Sequence, residues 1–295
     1  MKFSEEVVGE LAKFLGPYSG DLELSKLYQW PIDRALSKLS ESVVSAQWAN
    51  TIKNSSDSIF KKSINLRDRM KCALQDEELI SGDRKYFINW IIKEWGGIGK
   101  RRGKSGDGHD ENLVEIVDQA EKEHDIHKNL FSFDRIASWS KYLAFKYPNE
   151  RAIYDARVIY SLNWLLYKAR ATRYFPSSGT ENTLMKAFNY DHLILLSIIG
   201  TDNVRAKIKS DIENRKTKSL AINSLKKNVY IREKDAYFCY CNLLNEIAGR
   251  IYPIDPHALT KIEMILFAIA DKNIILQVVN AFAEQIALRE SHRGS

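Results

Sequence analysis

Trp139-Ser140-Lys141-Tyr142-Leu143-Ala144-Phe145, a Pro148-Asn149-Glu150 turn and Ile153-Tyr154-Asp155-Ala156-Arg157-Val158 follow one another in this chain. Apolar residues recur at helical spacing on both sides of the turn, which predicts helices over Phe133–Tyr147 and Tyr154–Ala171. Pro148 cannot continue the first helix, and Asp155 is a residue type that opens a second. With Lys141 on one helix and Asp155 at the start of the next, the two side chains can face a common cleft.

The same periodicity runs outward along the chain. It predicts further helices over Ser4–Leu15, Asp33–Ile52, Ile59–Leu74, Arg84–Trp95, Glu111–Glu123, Glu181–Leu196, Asp202–Lys216, Arg232–Ile251, Pro256–Ala270 and Lys272–Arg289. Asp33, Thr180 and Asp202 stand where a helix start needs a cap, and Pro176, Pro253 and Pro256 mark interruptions. No run of alternating β-branched residues competes with this pattern, so the expected fold is all-α. At 295 residues with 44% hydrophobic content, the chain is long enough for one large core. The expectation is a single domain over 1–295 made of two interleaved lobes.

Composition narrows the function classes. The most apolar stretch, Met264 to Ala270, falls far short of the roughly 18 residues of a membrane span; it is bounded by Glu263 and Asp271 and reads as a buried helix. Acidic residues follow Met1 where a signal or transit peptide carries basic ones, so a cytoplasmic protein is expected. Cys72, Cys239 and Cys241 are too few for a four-thiolate metal or iron–sulfur site and read as reduced thiols. No metal and no cofactor is expected.

A lysine and a carboxylate over one cleft suit a particular reaction. An amine can attack C1′ of a nucleoside, and a carboxylate can stabilise the cation formed as the sugar–base bond breaks. Asp155 stands where the positive end of a helix dipole favours negative charge. Lys141 is flanked by Trp139, Tyr142, Leu143 and Phe145, and burial among them would favour its neutral, nucleophilic form. Plainer roles are open for each residue: Asp155 as a helix cap and Lys141 as a side chain snorkelling to solvent. Arg157 can reach a phosphate, pair with Asp155 or form a structural bridge.

From Phe133 to Trp164 the chain resembles the helix-hairpin-helix DNA glycosylase superfamily, and most of all the 8-oxoguanine glycosylase-fold enzymes of the archaeal type with their bacterial relatives. Ser140-Lys141-Tyr142 is similar to the family's catalytic lysine segment. Ile153-Tyr154-Asp155-Ala156-Arg157-Val158 is similar to its Asp-x-Arg-Val segment. The resemblance implies an OGG-like helical fold around a central cleft. It also implies Lys141 and Asp155 as catalytic residues, and duplex DNA carrying modified bases as partner. The glycine-bearing hairpin turn of the family is replaced by His127-Lys128-Asn129-Leu130-Phe131, and the iron–sulfur cluster of some relatives has no ligands here.

The charge is compatible with DNA. A net charge of +6 is concentrated in Lys100-Arg101-Arg102 with Lys104 and in the run from Arg205 to Lys227. The first cluster lies in Gly96-Gly97-Ile98-Gly99-Lys100-Arg101-Arg102-Gly103-Lys104-Ser105-Gly106-Asp107-Gly108, which lacks P-loop spacing and follows no strand. Residues 96–110 are expected to form a flexible loop on DNA. Lys100, Arg101, Arg102, Lys104, Lys128 and Arg157 are the candidate DNA contacts. Gln29, Trp30, Trp48 and Trp139 are candidates for holding an extruded base.

Excision of a modified base leaving an abasic site is the leading expectation, with phage cytosines carrying a glucosylated hydroxymethyl group among the substrates that the bacterial relatives imply. An 8-oxoguanine glycosylase/lyase and a non-enzymatic helical DNA-binding protein are the alternatives. His124 and His127, with Glu121 and Asp125, have a metal-like spacing without a third strong ligand, so a solvated face is the preferred reading. A monomer is expected.

Overall fold

Almost every side chain of the helix that carries Lys141 is buried, from Ile136 through Phe145. It is not an amphipathic surface helix but a central one, and its Trp139, Tyr142, Leu143 and Phe145 each contribute roughly 1.5–3 kcal/mol by leaving water. The computed structural model describes residues 2–39, 45–98, 111–125, 132–214 and 222–291. These form sixteen α-helices, two π-helical turns and one 3-10 turn, Gly16–Tyr18. Tyr174 and Tyr230 make an isolated parallel bridge, and no β-strand occurs among the described residues. No helix among them is long and apolar enough to cross a membrane.

The central helix, α8 (Ile136–Lys146), packs on α5 (Ile59–Gln75), α7 (Glu111–Asp125) and the π-helical turn Trp90–Trp95 that ends α6 (Glu77–Asn89). Helices α3 (Ile32–Leu39) and α4 (Ala46–Asn54) complete this set. A second set surrounds α9 (Ala156–Lys168): α1 (Glu5–Leu15), α14 (Glu233–Ile251) and α15 (Ala258–Ile269). Helix α15 runs through the π-helical turn Ala270–Ile274 into α16 (Ile275–Ser291). Helix α2 (Asp21–Leu27) packs on both α5 and α15. The short helices α10 (Thr183–Ala187), α11 (Asp191–Ile199), α12 (Thr201–Glu213) and α13 (Ile222–Val229) follow α9, with α11 against α12 and α13. One continuous hydrophobic core spans both sets.

The helices differ from the periodicity reading where polar side chains intervene. The expected helix Asp33–Ile52 gives two, α3 and α4: Ser45, in a turn directly before α4, donates its hydroxyl to the Leu39 carbonyl at 2.7 Å. The expected helix Glu181–Leu196 is also two, because Asn189 accepts the Asp191 N–H and Asn182 caps α10. Arg135, in the left-handed region at φ 51°, delays the start of α8 to Ile136. Pro256–Ala270 and Lys272–Arg289 were expected as separate helices. They join, since a π-helical turn absorbs the extra residue without ending the rod.

Candidate active site

The link between α8 and α9 is extended, so its backbone groups need partners outside any helix. Glu150 and Arg151 donate N–H groups back to the Tyr147 carbonyl at 3.0 and 2.9 Å. Tyr237 and Tyr240 of α14 donate their hydroxyls to the carbonyls of Ala152 and Ile153, at 3.1 and 2.7 Å. The Ile153 N–H donates to Glu263 at 2.8 Å, and the Tyr154 N–H to the hydroxyl of Ser140 at 3.0 Å. Ser140 precedes Lys141, so this last bond ties the lysine's helix to the aspartate's strand-like approach. The Tyr154 hydroxyl reaches the Pro176 carbonyl at 2.6 Å.

Asp155 then divides its carboxylate between two duties. Its Oδ1 accepts the Arg157 N–H at 2.9 Å as the N-cap of α9. Its Oδ2 stands 3.7 Å from the Nζ of Lys141. That separation exceeds a hydrogen bond and makes the contact a charge pair, while Nζ donates instead to the Ala137 carbonyl one turn back at 2.5 Å. The cap and the cleft-facing group are therefore the same side chain.

Lys141 has little water around it, at 4% exposure. Burial pushes its ammonium below the ordinary value of 10.5, against the opposing pull of the Asp155 and Glu263 carboxylates. Its stem lies across Gly96. A Cβ at position 96 would meet Lys141 Cδ at 2.7 Å and the Ile92 carbonyl at 2.7 Å, so only glycine leaves the passage open. The π-helical turn that ends at Trp95 delivers this glycine to the lysine.

Both groups open onto a cavity of about 350 Å³. Trp30, Trp95 and Phe267 give it an aromatic wall; Trp30 meets Trp95 at 5.8 Å and Phe267 edge-on at 5.4 Å between ring centroids. At the rim Arg157 pairs with Asp271 at 2.8 Å and lies over the Phe267 ring, 4.8 Å from its centroid. It pairs with Asp271, not Asp155. The floor holds Glu263, 4% exposed, which accepts Arg67 through both oxygens.

The other expected site residues are placed apart. Gln29 is exposed and donates its amide to the Ser25 and Lys26 carbonyls, closing the end of α2. Trp48 is half-buried against the core, and Trp139 is buried with its indole N–H on the Asp134 carbonyl and its ring edge-on to Tyr237. Neither lines the cavity; Trp30 does. His124 is buried, stacked on Tyr147, with Nδ1 facing the Arg151 guanidinium. Lys100, Arg101, Arg102, Lys104, Lys128 and His127 lie outside the described residues.

A larger cavity of about 800 Å³ shares Ala156 and Met185 with the first. It has its own lysine–carboxylate pair, Lys226 and Asp191 at 3.0 Å, and Tyr230 donates its hydroxyl to the same aspartate at 2.7 Å.

Four residues to which sequence reasoning gave no site role bear on the smaller cavity: Gly96 and Glu263 line it, Arg67 holds Glu263, and Ser140 holds the Tyr154 N–H. Glu263 had a legible signal, as an acid on the edge of the most apolar helix, yet it was read as that helix's polar border. Gly96 was read as part of a loop, whereas it packs on the lysine. No protein-family model, curated protein or solved structure gives a significant match to this chain.

Proposed function

We propose that this protein is a DNA glycosylase of the helix-hairpin-helix type, which takes a modified base out of duplex DNA and breaks its N-glycosidic bond at Lys141 and Asp155. The observation that carries this reading is the desolvated amine of Lys141 beside the Asp155 carboxylate, at an aromatic-walled cavity of about 350 Å³. An extruded base stacks on aromatic faces, and the sugar behind it meets the two charged groups. The neutral Nζ attacks C1′, the bond to the base breaks with its electron pair leaving on the base, and the base takes up a proton. One amine proton passes to the departing base and the second to the ring oxygen as the sugar opens, giving a Schiff base; once protonated, it is hydrolysed by water or, on loss of a C2′ proton, expels the 3′ phosphate by elimination. Where water attacks in place of Nζ, Asp155 stabilises the sugar cation and takes the water's proton.

The test is a panel of duplexes with different modified bases, including 8-oxoguanine and phage DNA with glucosylated hydroxymethylcytosine. Mild alkali reveals abasic sites, and borohydride reduces a Schiff base to a permanent adduct. We expect base release from at least one modified duplex, undiminished by chelator, with abasic DNA as product. Release that stops in chelator, or DNA binding with no release from any member of the panel, overturns the proposal.

A further inference from the structure

Glu263 lines the same cavity as the Lys141–Asp155 pair and is linked to it in two ways. One runs through the backbone: its carboxylate accepts the Ile153 N–H at 2.8 Å, two residues before Asp155. The other is electrostatic, since Asp155 and Glu263 are the two carboxylates whose charge acts on Lys141. Glu263 itself is held by Arg67, with Nη2 on Oε1 and Nη1 on Oε2 at 3.2 Å. Arg67 is 2% exposed and lies over the rings of Phe145 and Trp95, at 5.5 and 6.0 Å. Tyr28, Tyr237 and Tyr240, besides Lys141, are titratable side chains facing this pair.

A buried carboxylate with no counter-ion would stabilise the protonated form of Lys141, holding it as an ammonium that cannot attack carbon. A bidentate guanidinium prevents this while keeping the carboxylate's geometry. The acceptor for Ile153 is then fixed, and with it the approach of the chain to Asp155.

We propose that Glu263, clamped by Arg67, is the positioning residue of the Lys141–Asp155 site, fixing Asp155 through the Ile153 backbone and setting the charge that Lys141 meets. This rests on the glycosylase reading for its effect on rate, but its geometric content is measurable without turnover. Arg67→Met leaves Glu263 uncompensated. Arg67→Met/Glu263→Gln removes both charges and keeps an acceptor for Ile153, and Arg67→Met/Glu263→Leu removes that acceptor too. Removing the pair as a unit avoids a lone buried charge, so the doubles are expected to fold.

Titration of the Lys141 Nζ by nitrogen NMR in lysine-labelled protein is expected to place the midpoint of Arg67→Met about one pH unit above those of the two doubles. Single-turnover base release is expected to be about ten- to a hundredfold slower in the leucine double than in the glutamine double, with equal affinity for the duplex. Equal rates in the two doubles overturn the inference, and so does a common Nζ midpoint in all three variants. If Arg67→Met does not fold, the charge-matched doubles still decide by rate. Absence of base release from the wild-type chain would remove the glycosylase reading alone, because the Nζ midpoints still report whether Glu263 and Arg67 set the charge around the amine.

Discussion

Two lysine–aspartate pairs line neighbouring cavities of this protein, and the shorter one is the less suited to chemistry. Lys226 and Asp191 are 3.0 Å apart, with side chains 36% and 32% exposed. Lys141 and Asp155 are 3.7 Å apart, with side chains 5% and 24% exposed. The first pair is a solvent-accessible salt bridge of the kind worth about 0–1 kcal/mol, and its amine stays hydrated. The second has an amine stripped of water and a carboxylate already fixed to a helix end. Desolvation and fixed geometry, more than contact distance, separate the buried pair from the surface one.

The comparison is open to attack by substitution. Lys141→Gln is expected to abolish the borohydride-trapped adduct, whereas Lys226→Gln should leave it; an adduct that persists without Lys141 assigns the nucleophile elsewhere. Asp155→Asn keeps a good N-cap, so the fold should survive while single-turnover release falls about a hundred- to a thousandfold. Asp191→Asn should leave release unchanged, and parallel losses in the two variants would erase the distinction between the cavities. Gly96→Ala presses a methyl on Lys141 Cδ and the Ile92 carbonyl, both at 2.7 Å. Overpacking of this kind costs about 1–3 kcal/mol, to be read from urea unfolding, with slower trapping alongside.

A smaller effect concerns pH. Below the lowered folded-state pKa of Lys141 the burial penalty is fully present, because both states hold the proton. Between that value and the ordinary 10.5 the unfolded chain binds more protons, so stability rises with pH. The wild type should therefore gain on Lys141→Met as pH is raised from 7 towards 10, and a constant difference in urea midpoints would contradict the desolvated amine. Smallest of all, Gln29→Ala should shift stability by about 0.5 kcal/mol or less and leave base release alone, since its amide serves only the end of α2.

Lys141 and Asp155 were legible in sequence because helix, turn and cap follow one another with little chain between them, and local rules carry across so short a span. Glu263 was not, since it joins Ile153 from 110 residues away and no local rule links an acid in an apolar helix to that amide. The all-helical class was legible from periodicity alone. The breaks at Ser45 and Asn189 were not, because side-chain hydrogen bonds at these points compete with a continuing helical turn. Gly96 shows the limit of composition: within a glycine-rich stretch nothing distinguishes the one that packs on Lys141.

The double duty of Asp155 bears on entropy. Immobilising a side chain on binding costs on the order of 0.5–1.5 kcal/mol, and a carboxylate that dangled in the cavity would meet that cost each time a ligand arrived. With Oδ1 held by the first turn of α9, its rotamer is already chosen when the chain folds. Any tilt of α9 against α8 would swing Oδ2 with it, so the rigidity of this one helix start sets how sharply the carboxylate is aimed.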